Sequence, residues 1–380
     1  MATHNVKRFG AKGNGTTDDT VAIQRAIDTA TQSGGRVYFP MGTYKVTSLD
    51  LSQQTGIYDR HIALVGDGYQ ASKIKLNTAG IGIDATGAVN LEFRDLGIWS
   101  GDVAPSVGLL LARSMTSVGG ANSCVLKNVQ VIGTFVHAAI AQCGAELCQF
   151  EFVRVRNFAP RAAALFATTN GLGLRPDGNG GYEQFTISTP KGQFPGYGGQ
   201  CNNYYGCQFT TMTTDGVPII IEQSFQGNFR GCYIGNDLGD LTPQEGEACV
   251  LVSAENSTTY AGPLVFDACN FEGSGKLKGI LLARTQDRVQ GWFDIHVRNC
   301  YFCFYGDRPN QFSIDYAGPG SNPHCLMNSS YLHNARSPYA PDRLRLNYLE
   351  RSNIFVPWGY LTMNGPTPHS EVTVHNPPQS

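Results

Sequence analysis

Residues 204–234, YYGCQFTTMTTDGVPIIIEQSFQGNFRGCYI, begin and end on the same short pattern, with an aliphatic run between the two copies. YYGCQF (204–209) and FRGCYI (229–234) each place a glycine, a cysteine and, two positions on, an apolar side chain. Related segments are EFRDLGI (92–98), VLKNVQV (125–131), QFEFVRV (149–155), FDACNF (266–271), VRNCYF (297–302) and LMNSSY (326–331). Their central column runs Leu96, Val129, Val153, Cys207, Cys232, Cys269, Cys300 and Ser329. Two residues later stand Ile98, Val131, Val155, Phe209, Ile234, Phe271, Phe302 and Tyr331. Side chains two apart on a strand share a face, so both columns point to one interior.

The aliphatic run between the copies repeats as well. VPIII (217–221) has counterparts in GIGID (80–84), GLLLA (108–112), AAIAQ (138–142), ACVLV (248–252) and GILLA (279–283). Two strand types alternating at a period of mostly 24–37 residues predict a parallel β-solenoid, because each coil buries its apolar face only by stacking on its neighbours. The step from Val153 to Cys207 is 54 residues, long enough for one further coil through AAALFATTNG. Cysteine occurs 11 times, an odd number that argues against a fully paired disulfide framework. Cys207, Cys232, Cys269 and Cys300 are expected to form a ladder of small buried side chains. Cys300 and Cys303 lie three apart on a strand and face opposite sides, so no metal site is expected there.

Near the N-terminus Ile23, Ala26, Ile27 and Ala30 recur at helical spacing, and Gly34 with Gly35 ends the run. The spacing predicts an amphipathic helix with Thr17 as N-cap and Asp18 and Asp19 in its first turn, where they offset the helix dipole. The acidic pair is therefore read as structural. The whole stretch Val6–Val46, with Phe9-Gly10-Ala11, Asp18-Asp19-Thr20, Ala26-Ile27, Val37-Tyr38-Phe39-Pro40 and Gly42-Thr43-Tyr44, resembles the N-terminal signature of the pectate-lyase-like family of right-handed parallel β-helices. Asn14 stands where that signature more commonly has Asp.

The resemblance implies an all-β, right-handed parallel β-helix with an N-terminal capping α-helix, most similar to phage tailspike polysaccharide depolymerases. It implies a cap over residues 1–50, the β-helix over 51–332, and a C-terminal cap or subunit-contact tail over 333–380. It also implies a polysaccharide substrate, a homotrimer, and a place on a virion tail or outside the cell. The signature covers about 40 residues and carries no catalytic group, so the chemistry has to be read from the rest of this chain.

If the cysteine column points inward, Gln208, Tyr233, Asn270 and Tyr301 point out, as do Thr210, Gly235, Glu272 and Cys303. Exposed aromatic and polar side chains suit sugar rings, which present apolar faces and hydroxyl rims. Such a row also suits a solvated solenoid face with no ligand. Glu272 is the best placed acid, with Gly235 one coil earlier expected to leave room beside it. Asp237 lies two residues beyond Gly235, at a diagonal of roughly 8 Å from Glu272. Carboxylates about 6.5–9.5 Å apart suit an inverting glycosidase. Asp215, Glu222, Asp240, Glu245 and Glu247 compete from the flanking segments. Arg154 and Arg156 either hold an acidic sugar, which a lyase would need, or are solvated surface arginines.

Other classes find little support. The net charge of −2 provides no basic field for nucleic acid or an anionic membrane. No apolar run approaches the roughly 20 residues of a membrane span, and the opening MATHNVKRFG has no apolar signal core. No dense aspartate constellation points to calcium and no cofactor is expected. His137 and His296 sit in no cluster. The glycine- and aromatic-rich span 171–199 fits neither repeat and is read as a wall beside a sugar groove. The two rivals to hydrolysis are a polysaccharide lyase acting on a polyuronate and a non-catalytic glycan-binding adhesin.

Overall fold

The computed structural model describes residues 2–159 apart from 53–60 and 114–121. Beyond these it describes 162–167, 173–176, 182–185, 199–213, 216–222, 225–236, 246–253, 261–274, 276–283, 293–305 and 312–317, and the short strands within 324–375. Nearly all described structure is parallel β. One coil is made of Asn202–Tyr205, Gln208–Thr211 and Ile219–Glu222, and the next of Gly227–Arg230, Tyr233–Asn236 and Gly246–Ser253. Equivalent strands pair in parallel and in register from coil to coil, which builds three stacks. Among the described residues the third stack holds 11 strands.

The first two stacks meet at a sharp corner that the repeat contained without revealing. Seven of the eight repeat segments are two strands joined by one left-handed residue, Asp95, Asn128, Phe152, Gly206, Gly231, Ala268 or Asn299, with φ between 51° and 61°, whereas LMNSSY lies within the single strand His324–Asn334. Backbone hydrogen bonds run down this corner, from the N–H of Phe152 to Tyr205 O, of Gly206 to Arg230 O and of Gly231 to Asp267 O, each 2.9 Å. The residue after the corner is the inward column, so Leu96, Val129, Val153, Cys207, Cys232, Cys269 and Cys300 are all buried. The cysteine ladder stands as expected, and every described cysteine is a free thiol. Each ladder thiol donates to a carbonyl one coil back, as Cys269 Sγ does to Phe229 O at 3.3 Å. Cys124 and Cys148 begin a second ladder at the entrance to the first stack, with Cys124 Sγ donating to Ala88 O at 3.7 Å.

The interior is close-packed and largely aromatic in its middle coils. Phe229 lies between Tyr204 and Phe266, with ring centroids 4.5 and 5.0 Å away, and Phe271 stacks on Phe302 at 4.5 Å. Polar groups inside are satisfied by one another: Tyr204 Oη donates to Gln142 Oε1 at 2.8 Å and Gln142 Nε2 to Asn202 Oδ1 at 2.7 Å.

Several expectations change. The 54-residue step holds no additional coil, since Gln149–Glu151 pairs directly with Asn202–Tyr205. AAALFA instead forms the third-stack strand of that coil, Ala162–Ala167, and the insertion follows it. Within the insertion Gly173–Pro176 and Tyr182–Phe185 pair antiparallel. Parallel pairing also continues past residue 333, through Ser352–Phe355 to Val372–His375.

The helix spans Thr20–Ser33 and packs Ile23, Ala26, Ile27 and Ala30 against the first strands. Its N-cap is Asp19, and Thr17 belongs to the preceding strand Asn14–Asp18. Asp18 accepts from the Thr20 N–H at 2.9 Å, and the Thr20 hydrogen bonds hold its carboxyl below the usual carboxylate range. Asp19 is buried and accepts from the N–H groups of Lys12 and Gly13 at 2.7 and 2.9 Å. The acidic pair ties the preceding loop to the helix start and does not sit in its first turn.

Candidate functional site

The outer face of the second stack is a regular array because its register holds without a slip from Gly42–Val46 to Tyr301–Tyr305. From coil to coil its first outward row reads Thr43, Lys73, Gly97, Gln130, Arg154, Gln208, Tyr233, Asn270 and Tyr301. The second reads Lys45, Lys75, Trp99, Ile132, Arg156, Thr210, Gly235 and Glu272, and the side chain of Cys303, the next register position, lies outside the described residues. Arg154, Arg156, Tyr233, Asn270, Glu272 and Tyr301 therefore do share one face, as expected. Arg154 is exposed, and the other five are half-buried.

Two details depart from expectation. Thr210 and Gly235, placed outward by the alternation, are buried. Thr210 Oγ1 donates to Val155 O at 3.3 Å. Gly235 opens no space beside Glu272: a β-carbon there would collide with the Glu272 carbonyl oxygen. The glycine serves the close approach of two coils. Asn270 Nδ2 lies 3.5 Å from Glu272 Oε2, two residues along the same strand. Asp237, Asp215, Asp240 and Glu245 lie outside the described residues, as do the side chains of Glu222 and Glu247.

Charge on this face is one-sided. Between Thr43 and Glu272 the two outward rows hold Lys45, Lys73, Lys75, Arg154 and Arg156 against a single carboxylate, Glu272. Lys75 pairs with Asp102 at 3.2 Å, and the Lys73 ammonium sits 4.4 Å from the Trp99 ring. A turn at 67–71 folds over the face. Its Tyr69 carbonyl lies where a Gly97 β-carbon would be, and Gln70 Nε2 donates to Gln130 Oε1 at 3.1 Å. The Tyr69 ring meets the Arg154 guanidinium at 5.5 Å.

Beside Arg154 a cavity of about 350 Å³ opens along the corner, lined by Phe152, Arg154, Gln208 and Tyr233 with Gly206 and Gly231. Cys207 also borders it, but burial pushes that thiol well up and leaves it a neutral, inert group. Sequence reasoning missed Phe152. As part of QFEFVRV it reads as one more strand hydrophobe, and only its place in the column of Asn128, Gly206 and Gly231 marks it as a corner residue.

Residues 3–92 match the family described as Rhamnogalacturonase A/epimerase, pectate lyase-like. In fold, 96% of the chain superposes on 46% of tailspike protein 2 of the Escherichia coli bacteriophage CAB120, with a TM-score of 0.62 and 12% identity. The tailspike protein of Escherichia coli bacteriophage HK620, solved with a hexasaccharide, gives a TM-score of 0.61 and 12% identity over 98% of this chain and 64% of its own. The fold is that of a right-handed parallel β-helix, and the pectate-lyase-like likeness in sequence is carried by residues 3–92. Among curated relatives of this β-helix, Alginate lyase 7 of Azotobacter vinelandii is 49% identical over 75 residues, which are 19% of this chain and 9% of the lyase. The chain thus covers less than half of the CAB120 tailspike and under a tenth of the lyase. At 12% identity the tailspike likeness speaks for the fold alone.

Proposed function

We propose that this β-helix is a polysaccharide depolymerase that binds its glycan along the outer face of the second stack and cleaves it by hydrolysis at Glu272. The observation that carries this is the in-register row of Arg154, Tyr233, Asn270 and Tyr301 beside Glu272, the one carboxylate in the two outward rows between Thr43 and Tyr301. Glu272 protonates the leaving glycosidic oxygen, and Asp237 serves as the second carboxylate that activates water. A bacterial capsule, O-antigen or exopolysaccharide is the substrate. The excess of Lys and Arg on the face favours an anionic one. In keeping with the tailspike resemblance, the protein acts on a virion tail or outside the cell as a homotrimer, and sedimentation equilibrium is expected to return three chain masses.

The cationic face and the alginate lyase relative also support β-elimination, in which the arginines neutralise a uronate carboxylate while a base removes the neighbouring proton. One experiment separates the two. The protein is incubated with purified bacterial capsular and O-chain polysaccharides, and chain length, new reducing ends and ultraviolet absorbance are followed together. Hydrolysis is expected to shorten one of them and raise reducing ends without absorbance. Absorbing, unsaturated ends would replace hydrolysis by elimination, and saturable binding without shortening would leave an adhesin.

A further inference from the structure

We propose that the cavity at the Phe152 corner is a pyranose-binding subsite, in which a sugar ring lies on the phenyl face and its oxygens meet Arg154, Gln208 and Tyr233. The inference rests on the glycan reading of the same face and adds a place and a specificity-determining residue to it.

Phe152 is not accounted for by folding. Its φ is 54°, in the left-handed region that disfavours any residue with a β-carbon, and a phenyl group offers no local hydrogen bond in compensation. The ring is also 63% exposed, so little core burial offsets the backbone conformation. Asp, Asn and Gly fill five of the other six corner positions, as left-handed geometry favours. A strained backbone carrying an exposed aromatic ring is the combination expected where the ring serves a ligand.

The two corner residues that follow complete the shape. Gly206 lies under the ring, since a β-carbon there would come within 2.9 Å of Phe152 Cδ1 and Cε1. One coil further, Gly231 has no atom within 4 Å of a built β-carbon, so the corner there is an open trough. Arg154, Gln208 and Tyr233 are in-register neighbours along one side of it. Arg supplies donors only, while Gln and Tyr both donate and accept, which suits a rim of hydroxyl or carboxylate oxygens around an apolar ring face. A volume of about 350 Å³ is that of a small-ligand site. Three strand spacings, about 14 Å, separate Arg154 from Asn270 along this row, and Tyr233 is one spacing away, so the trough holds sugar units beside the scissile bond.

The test uses substitutions that the fold itself licenses. Asn128 and Asn299 occupy the same corner in other coils, so Gly231→Asn keeps the backbone and places a carboxamide in the trough. Phe152→Gly removes the platform and relieves the left-handed strain. Both variants, with wild type and Glu272→Gln, are applied to an array of bacterial capsular and O-chain polysaccharides. The glycan bound by wild type is expected to bind each trough variant roughly tenfold more weakly. Tm should stay unchanged or rise, and Glu272→Gln should bind as wild type does. Trough variants that bind and cleave as wild type does would overturn the subsite while leaving the depolymerase reading standing. Wild type that binds no glycan on the array would overturn both.

Discussion

Glu272→Gln is expected to lower glycan cleavage by a factor of about 10² to 10⁴ while binding and Tm stay at wild-type values. The substitution keeps the size and planarity of the side chain, so the strand Asn270–Ser274 can hold its register with Tyr233–Asn236 on one side and Tyr301–Tyr305 on the other. The backbone contact between the Glu272 carbonyl and Gly235 is also untouched. What the amide cannot do is deliver a proton to the leaving oxygen or receive one. Loss of rate without loss of affinity is therefore the signature of a group acting only in the transition state. Measuring kcat and KM on the polysaccharide that wild type shortens gives the split directly. Undiminished cleavage would remove Glu272 from the chemistry and direct attention to Asp237, Asp240 and Glu245. A parallel loss of Tm would mean that the side chain supports the coil and that the rate says nothing of catalysis.

The fold was legible because a solenoid repeats its constraints. Two columns that repeat in phase through eight segments, apolar in seven of them, mark a stacked repeat, and the aliphatic runs fall on the third stack wherever that stack is described. The corner was harder to see. Asp95, Asn128, Gly206, Gly231 and Asn299 form a column of residues suited to left-handed backbone, but Phe152 and Ala268 interrupt it. Read as a strand, QFEFVRV hides a turn in its middle. Gly235 shows another limit of one-dimensional reading. A missing side chain is equally consistent with a cavity and with the close approach of a neighbouring backbone, and here the backbone fills the space. The helix starts two residues later than the capping pattern predicts, because N-cap preference does not distinguish Thr17 from Asp19. The candidate site was legible as a row and not as a pocket. Alternation predicts which side chains share a face, but the trough depends on a ring leaning over a glycine one coil away, which no single strand records.

Phe229→Ala, in the strand that precedes the Gly231 corner, is expected to destabilise the protein by about 3–5 kcal/mol. Phe229 is fully buried, and its ring lies nearly parallel to Tyr204 and Phe266, at interplanar angles of 11° and 15°. Phe166 and Phe209 close its edges at 5.8 and 6.4 Å. Truncation removes ring contacts on every side at once. The usual relief, collapse of the walls into the void, is denied here because backbone pairing holds Asn202–Tyr205, Gly227–Arg230 and Ala261–Asp267 at fixed spacing. Most of the cavity should therefore persist, which places the effect in the upper part of the range for large-to-small changes. Coils stabilise only their neighbours, so the loss should concentrate near residues 202–271 and reach the trough above them. Urea denaturation compared with Phe158→Ala, whose side chain is 44% exposed, gives the measure. The exposed variant should stay within about 0.5 kcal/mol of wild type. A loss below about 1 kcal/mol for Phe229→Ala would mean that the coils can close around the missing ring. The trough above Phe229 would then owe its shape to something other than this aromatic stack.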